Sequence, residues 1–194
     1  MSDDIHIELT AYHEAAHAIV ALYHGYAVTE VAVSLEAPGD GLMKYQPRLK
    51  RELPDPSPGS IRVAWLETLK KYEGEIRILL AGPLSEAKLL NTPLRSLGAR
   101  SDLLTAQRLY LRLQDIQTEM SRYTSIPKPL PARYLDKLRR ETRSLLGRPQ
   151  IWEMVCALAR ELKDMDYLEA GEIAAVLQKI PDRHGQLGLD ELFK

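Results

Sequence analysis

Ala11-Tyr12-His13-Glu14-Ala15-Ala16-His17-Ala18 is the stretch on which the reading of this chain turns. Apolar residues at Ile7, Leu9, Ala16, Ile19, Val20 and Tyr23 recur at helical spacing, and Gly25 offers a stop, so residues 7 to 24 are expected to form a helix. On it His13 and His17 stand four apart, hence one turn apart on one face, close enough for both imidazoles to reach one tetrahedral ion. Glu14 sits beside them, able to face a water at that ion without being a ligand. Each residue type suits its role. The imidazoles offer neutral nitrogen donors to the metal, and the carboxylate can take a proton from water whose pKa the ion lowers towards about 7. The five-residue pattern also recurs by chance, as polar residues on a surface helix. Its setting argues against that. Ala15, Ala16, Ala18, Ile19 and Val20 make the helix largely apolar, and imidazoles and a carboxylate buried there need a partner such as a metal.

The remainder of the chain is that of an ordinary soluble protein. Its 194 residues suit one domain, or one with a helical appendage, and can bury a core without a staple. A formal net charge of -1 gives no long-range pull towards nucleic acid or an anionic membrane. Arg139, Arg140 and Arg143 cluster, but acidic residues interleave with them. Cys156 is the only cysteine, so no intramolecular disulfide can form, and its apolar neighbours read as those of a buried structural thiol. The N-terminus lacks a signal peptide's basic start and apolar core. No apolar run approaches the roughly 18 residues of a membrane span. The chain therefore reads as soluble and cytoplasmic.

Val28 to Val33, alternating and β-branched, is expected to be a strand; Pro38-Gly39-Asp40-Gly41 turns the chain, and Leu42 to Gln46 returns as a second strand. Residues 47 to 59, with four prolines, read as a loop or flap. A helix capped by Ser60 should run to about Leu90, kinked or interrupted at Gly82-Pro83. A loop through Thr92, Pro93 and Gly98 leads to a helix from Ser101 to about Arg122. Pro127, Pro129 and Pro131 mark a linker, followed by helices near 132 to 146, 149 to 164 and 167 to 179. The fold class is mainly α (α+β): a core over 1–125 with a small N-terminal sheet, and a C-terminal helical subdomain over 126–194 packed on it.

A catalytic zinc site needs a third protein ligand and an open fourth position. His24 is two turns beyond His17, too far to share the ion, and with His6 and His184 it reads as an ordinary surface or helix-end residue. Spacing alone leaves Glu73, Glu75, Glu86 and Asp102 open as the third ligand.

The segment Ala11 to Ala18 resembles the zinc helix of the FtsH-type proteases, the membrane-anchored AAA+ zinc peptidases. Leu80-Ala81-Gly82-Pro83-Leu84-Ser85-Glu86-Ala87 is similar to that family's Gly-Gly-Arg-x-Ala-Glu-Glu helix. Gly98-Ala99-Arg100-Ser101-Asp102-Leu103-Leu104-Thr105-Ala106 is similar to its Gly-Ala-x-Asn-Asp-(x)3-Ala segment. Three C-terminal helices match in number and spacing, so the resemblance covers most of the chain. It implies Asp102 as third zinc ligand beside His13 and His17, and Glu14 as general base. Without it, Asp102 is an acidic residue in a helix's first turn, favoured by the dipole. Glu86 reads as a partner that orients a ligand histidine, or as a plain ion-pair residue. Leu42, Met43, Lys44 and Tyr45 resemble the edge strand on which such peptidases extend a substrate; the plain alternative is a simple hairpin.

Departures from the family are also visible. No Gly-x-x-x-x-Gly-Lys-[Ser/Thr] sequence occurs, so neither an ATPase of that kind nor the family's membrane anchor is expected. Ala16 replaces a glycine, Pro83 enters the second helix, and Ser101 stands where Asn is usual. None removes a proposed ligand. The expectation is a zinc-dependent metalloendopeptidase cutting flexible or unfolded polypeptide, supplied by a separate AAA+ ATPase or organised as a homo-oligomer. The alternatives are a catalytically silent or regulated zinc-binding interaction module of a larger protease/ATPase assembly, and a hydrolase of non-peptide substrates.

Overall fold

A computed structural model describes residues 3–37, 39–46, 58–94, 100–123, 125 and 129–180. Helix α1 (Asp3–Tyr23) carries the histidine segment, and it is buried on nearly every side. Ala11, Ala15, Ala16, Ala18, Val20 and Ala21 are fully buried, and the short alanine side chains let other elements approach closely. Helices α2 (Pro58–Leu89) and α5 (Pro149–Met165) pack on it, as do strands β1 (Ala27–Val33) and β2 (Gly41–Gln46). α1 ends in a Schellman motif: Gly25, at φ 80°, donates to Leu22 O, and Tyr26 N–H reaches back to Ala21 O. A side chain at that φ would be strained, so glycine stops the helix and turns the chain into β1.

β1 and β2 form the expected hairpin, with register Val33↔Gly41 to Ala27↔Gln46. A bulge between Val28 and Glu30 shifts the alternation, so that Val28, Val31 and Val33 all face the core. β2 stays at the sheet edge, and its residues are exposed or half-buried.

The structure corrects the sequence reading at three points. Residues Tyr167–Glu169 are a strand, β3, not the start of a helix; α6 (Ala170–Gln178) begins only after them. Asp166, in the left-handed conformation at φ 56°, ends α5, and its carbonyl accepts a hydrogen bond from Val33 N–H. β3 then pairs antiparallel with β1, giving the order β2-β1-β3, so the sheet is not purely N-terminal. A three-residue strand has too little pattern to be seen before its partner is known. Second, of the kink or interruption expected at Gly82-Pro83, the interruption does not occur: Pro83 lies within the continuous helix α2. Proline leaves the Leu79 carbonyl without its helical donor, yet packing on α1 holds the helix: Ser85 Oγ donates to Tyr12 O and to Gly82 O. Third, α2 begins at Pro58, before Ser60, and α1 begins at Asp3, before residue 7.

α3 (Arg100–Ser121) and α4 (Tyr134–Leu146) both pack against α2. α2 ends, like α1, in a Schellman motif: Asn91 at φ 50° donates to Lys88 O, and Thr92 N–H bonds Ala87 O. The fold is thus mainly helical, with one small antiparallel sheet. Chain beyond residue 125 is woven into the earlier part, through α5 on α1 and β3 on β1. Of the loop or flap expected at 47–59, residues 58 and 59 open α2 instead, and residues 47–57 lie outside the described residues, as do Gly98, Pro127 of the linker and His184.

At the C-terminal end of α1, a cavity of about 580 Å³ is lined by Tyr23, His24, Tyr26, Arg77, Glu141 and Arg148, among others. Arg77 spans it, bonded to Glu73 at 3.1 Å and Glu141 at 2.9 Å. His24, read from sequence as a surface or helix-end residue, does follow the end of α1, but its Nε2 is buried without a partner among the described residues. Burial, and then the Arg77 charge, push its pKa down to about 4. The unfolded chain therefore binds the proton first. The stability that neutral His24 preserves is complete above about pH 6.5 and is lost as pH falls through about 4. Replacing His24 by Leu should accordingly shrink the drop in melting temperature between pH 7 and pH 4.5. Thermal unfolding of both proteins at the two pH values measures it; an equal drop would show that His24 does not titrate in this window.

Candidate metal centre

The helical spacing of four places the His13 and His17 rings together, with centroids 4.5 Å apart and planes at 78°. Each ring is fixed from behind. His17 Nδ1 donates to the Ile78 carbonyl of α2 at 2.6 Å. His13 Nδ1 meets Glu86 Oε1, also on α2, at 2.5 Å. Both partners are acceptors, so both Nδ1 atoms carry a proton, and each Nε2 faces Asp102 as a donor when its ring is protonated and offers a lone pair to an ion when the ring is neutral. Those Nε2 atoms converge on one carboxylate oxygen from α3: Asp102 Oδ2 is 2.8 Å from His13 Nε2 and 3.4 Å from His17 Nε2.

His13, His17 and Asp102 form a group that could hold a metal ion, with ligand atoms all within 4.8 Å of one another. A tetrahedral ion with bonds of about 2.1 Å separates its ligand atoms by about 3.4 Å, so the three donors need only small adjustments to take one. The carboxylate behind His13 is the arrangement that sets tautomer and ring direction in metal sites. Electrostatics point the same way. Glu14, Asp40, Glu86 and Asp102 line the cleft of about 810 Å³ around the group, and among the described residues that line it none is Lys or Arg. Burial opposes a charge on His13, but hydrogen bonds to Asp102 and Glu86 outweigh it and push its pKa up to about 9. Burial likewise opposes ionisation of Asp102, yet the bonds from His13 and His17 hold it well below the usual carboxylate range. The centre thus favours positive charge between the imidazoles and Asp102, where an ion would sit.

Glu14 is buried at the floor of the cleft, and burial raises its pKa against the opposing pull of His17 and His13. No side chain among the described residues hydrogen-bonds its carboxyl group, which leaves both oxygens available to a molecule in the cleft.

The other residues singled out by sequence divide clearly. Leu42, Met43 and Tyr45 line the cleft with the metal group, whereas Lys44 points elsewhere and pairs with Glu30 at 2.5 Å. Lys44 is therefore not a cleft residue: alternation along β2 sends it to the face opposite Met43 and Tyr45. Glu73 and Glu75 lie apart from the histidines; Glu73 bonds Arg77 and the Tyr134 hydroxyl, and Glu75 sits 4.0 Å from Lys71. His6, read as an ordinary helix-end residue, lines the cleft.

Two contributors had no signal of their own. The Ile78 carbonyl is backbone, and any residue would supply it. Gly82 seats His13: a Cβ there would fall within 3.0 Å of the ring. Its place in the Gly-Pro pair drew attention as a break, not as a seat.

No protein-family model matches the chain, and no curated protein sequence matches it. Glu86→Ala should weaken metal affinity about 10- to 100-fold while leaving one ion per chain at saturation. Cobalt(II) titration against a competing chelator measures this. Unchanged affinity would make Glu86 a plain ion-pair residue.

Proposed function

We propose that this chain is a zinc metallopeptidase resembling the proteolytic domain of the FtsH-type proteases. The observation that carries the reading is the convergence of His13 Nε2, His17 Nε2 and Asp102 Oδ2 beside the buried Glu14. Two imidazole nitrogens and one carboxylate favour zinc among common divalent ions. When bound, zinc supplies Lewis acidity, acidifying water and polarising a carbonyl.

Glu14 then acts as general base through its carboxyl oxygens, taking a proton from water as the oxygen attacks the scissile carbonyl. It returns that proton to the leaving amine. Its raised pKa suits both halves of the cycle, because a carboxyl closer to neutrality accepts and releases a proton more evenly. Glu86 and the Ile78 carbonyl keep the imidazoles directed at the ion. The exposed edge of β2 offers backbone groups to an extended chain, with Leu42, Met43 and Tyr45 beside it.

A peptide taken up this way is extended, so the substrates are flexible or unfolded polypeptides. Folded ones require an unfolding partner, such as a separate AAA+ ATPase; self-association and a cytoplasmic setting belong to the same reading. No helix among the described residues is long and apolar enough to cross a membrane. A silent zinc-binding module is the rival reading. Among the described residues no fourth side-chain ligand closes the group, which favours an open, catalytic site.

The test pairs metal analysis with casein cleavage for wild type and Glu14→Gln. The expected outcome is one zinc per chain in both, with turnover about 10²- to 10⁴-fold lower in the variant. Zinc in both and cleavage by neither would favour the silent module; no zinc in either would end the metal reading.

A further inference from the structure

Among the described residues none hydrogen-bonds the Glu14 carboxyl group, yet a general base must be held near its working position. What surrounds it is packing. A Cβ placed on Gly41 would lie 2.6 Å from both Cγ and Oε1 of Glu14, and 2.8 Å from Thr10 Cγ2. Real Cβ atoms essentially never come that close, so the backbone of Gly41 lies against the Glu14 side chain where only glycine fits.

The wall that Gly41 forms is itself anchored. Gly41 opens β2 and pairs with Val33. Val33 in turn bonds the Asp166 carbonyl at 2.8 Å, so the pair is tied to the end of α5. The turn before it is stitched by Ser34 N–H to Asp40 O at 2.8 Å, by Asp40 N–H to Ala37 O at 3.0 Å, and by Ala37 N–H to Ser34 Oγ at 2.9 Å. On the other side, Thr10 is fixed by its hydroxyl to His6 O at 2.8 Å. The strand cannot easily retreat from a bulkier side chain, so Glu14 would have to move.

We infer that Gly41 is a positioning residue, whose bare backbone at the tip of the hairpin holds the Glu14 carboxyl group in its catalytic direction. This rests on the peptidase reading. It adds that the strand offering its edge to substrate also sets the base, so both are referred to one rigid element. Gly41→Ala leaves the ligands His13, His17 and Asp102 untouched and displaces Glu14.

The test has two parts, on the full chain loaded with zinc. The first is a stability cycle that needs no activity. Gly41→Ala should lower the melting temperature by on the order of 5 °C in the wild type, from overpacking. The loss should shrink in a Glu14→Ala background and vanish in Glu14→Ala with Thr10→Ser, since a strand glycine replaced by alanine without a clash is neutral or stabilising. The same loss in all three backgrounds would overturn the contact. The second part is casein cleavage: Gly41→Ala should lower kcat on the order of a hundredfold, with KM and zinc content little changed. A variant that cuts as fast as wild type, or that loses its zinc, overturns the positioning role alone. A wild type that holds zinc and cuts nothing overturns the peptidase reading and the positioning role together.

Discussion

Everything in this molecule depends on burying α1, a helix that is both the centre of the core and the carrier of two imidazoles and a carboxylate. A helix lined with alanine gains little from any one side chain, so its burial needs neighbours on all sides at short range. α2, α5 and the sheet provide them. That closeness then makes the polar groups of α1 costly unless each finds a partner. The Ile78 carbonyl, Glu86 and Asp102 meet that demand for His13 and His17, and in doing so they aim both Nε2 atoms at one place. Structural necessity and metal-site geometry are here the same set of contacts.

Close approach also explains where the chain uses glycine. Gly82 lets α2 lie against the His13 ring, Gly41 lets the hairpin lie against Glu14, and Gly74 makes room for Tyr26 at the other end of α1. In each case a side chain would collide with a side chain, not with backbone. The site's geometry is therefore held partly by atoms that are missing, a form of control that hydrogen-bond inventories do not reveal.

The two ends of α1 differ in electrostatic character. Around His13 and His17 the charges are acidic, and His13 is held protonated up to about pH 9 by its carboxylate partners. Around His24 burial and then the positive Arg77 keep the imidazole neutral down to about pH 4. His13 on α1 and His24 just past its end, about three turns apart, thus behave oppositely because each reports its neighbours from other elements.

The local elements and the chemistry on offer were legible along the chain alone. Helical periodicity placed α1, the β-branched run placed β1, Pro38 to Gly41 placed the turn, and the four-residue spacing placed both imidazoles on one face. Such features depend on neighbours in the chain, so they can be read along it. Spacing alone left four carboxylates open for the third position, and the resemblance chose Asp102; only folding brought α3 across to α1 and put that carboxylate beside both rings. Packing between distant segments likewise decided that Glu86 backs His13, that Lys44 turns away from the cleft, and that His6 lines it. It carried α2 through Pro83, because contact with α1 outweighs one lost helical hydrogen bond. It made Tyr167–Glu169 a strand, because a three-residue segment takes its conformation from the β1 edge it meets. What could be read in advance was short in range; contacts between distant segments have no pattern in either segment alone.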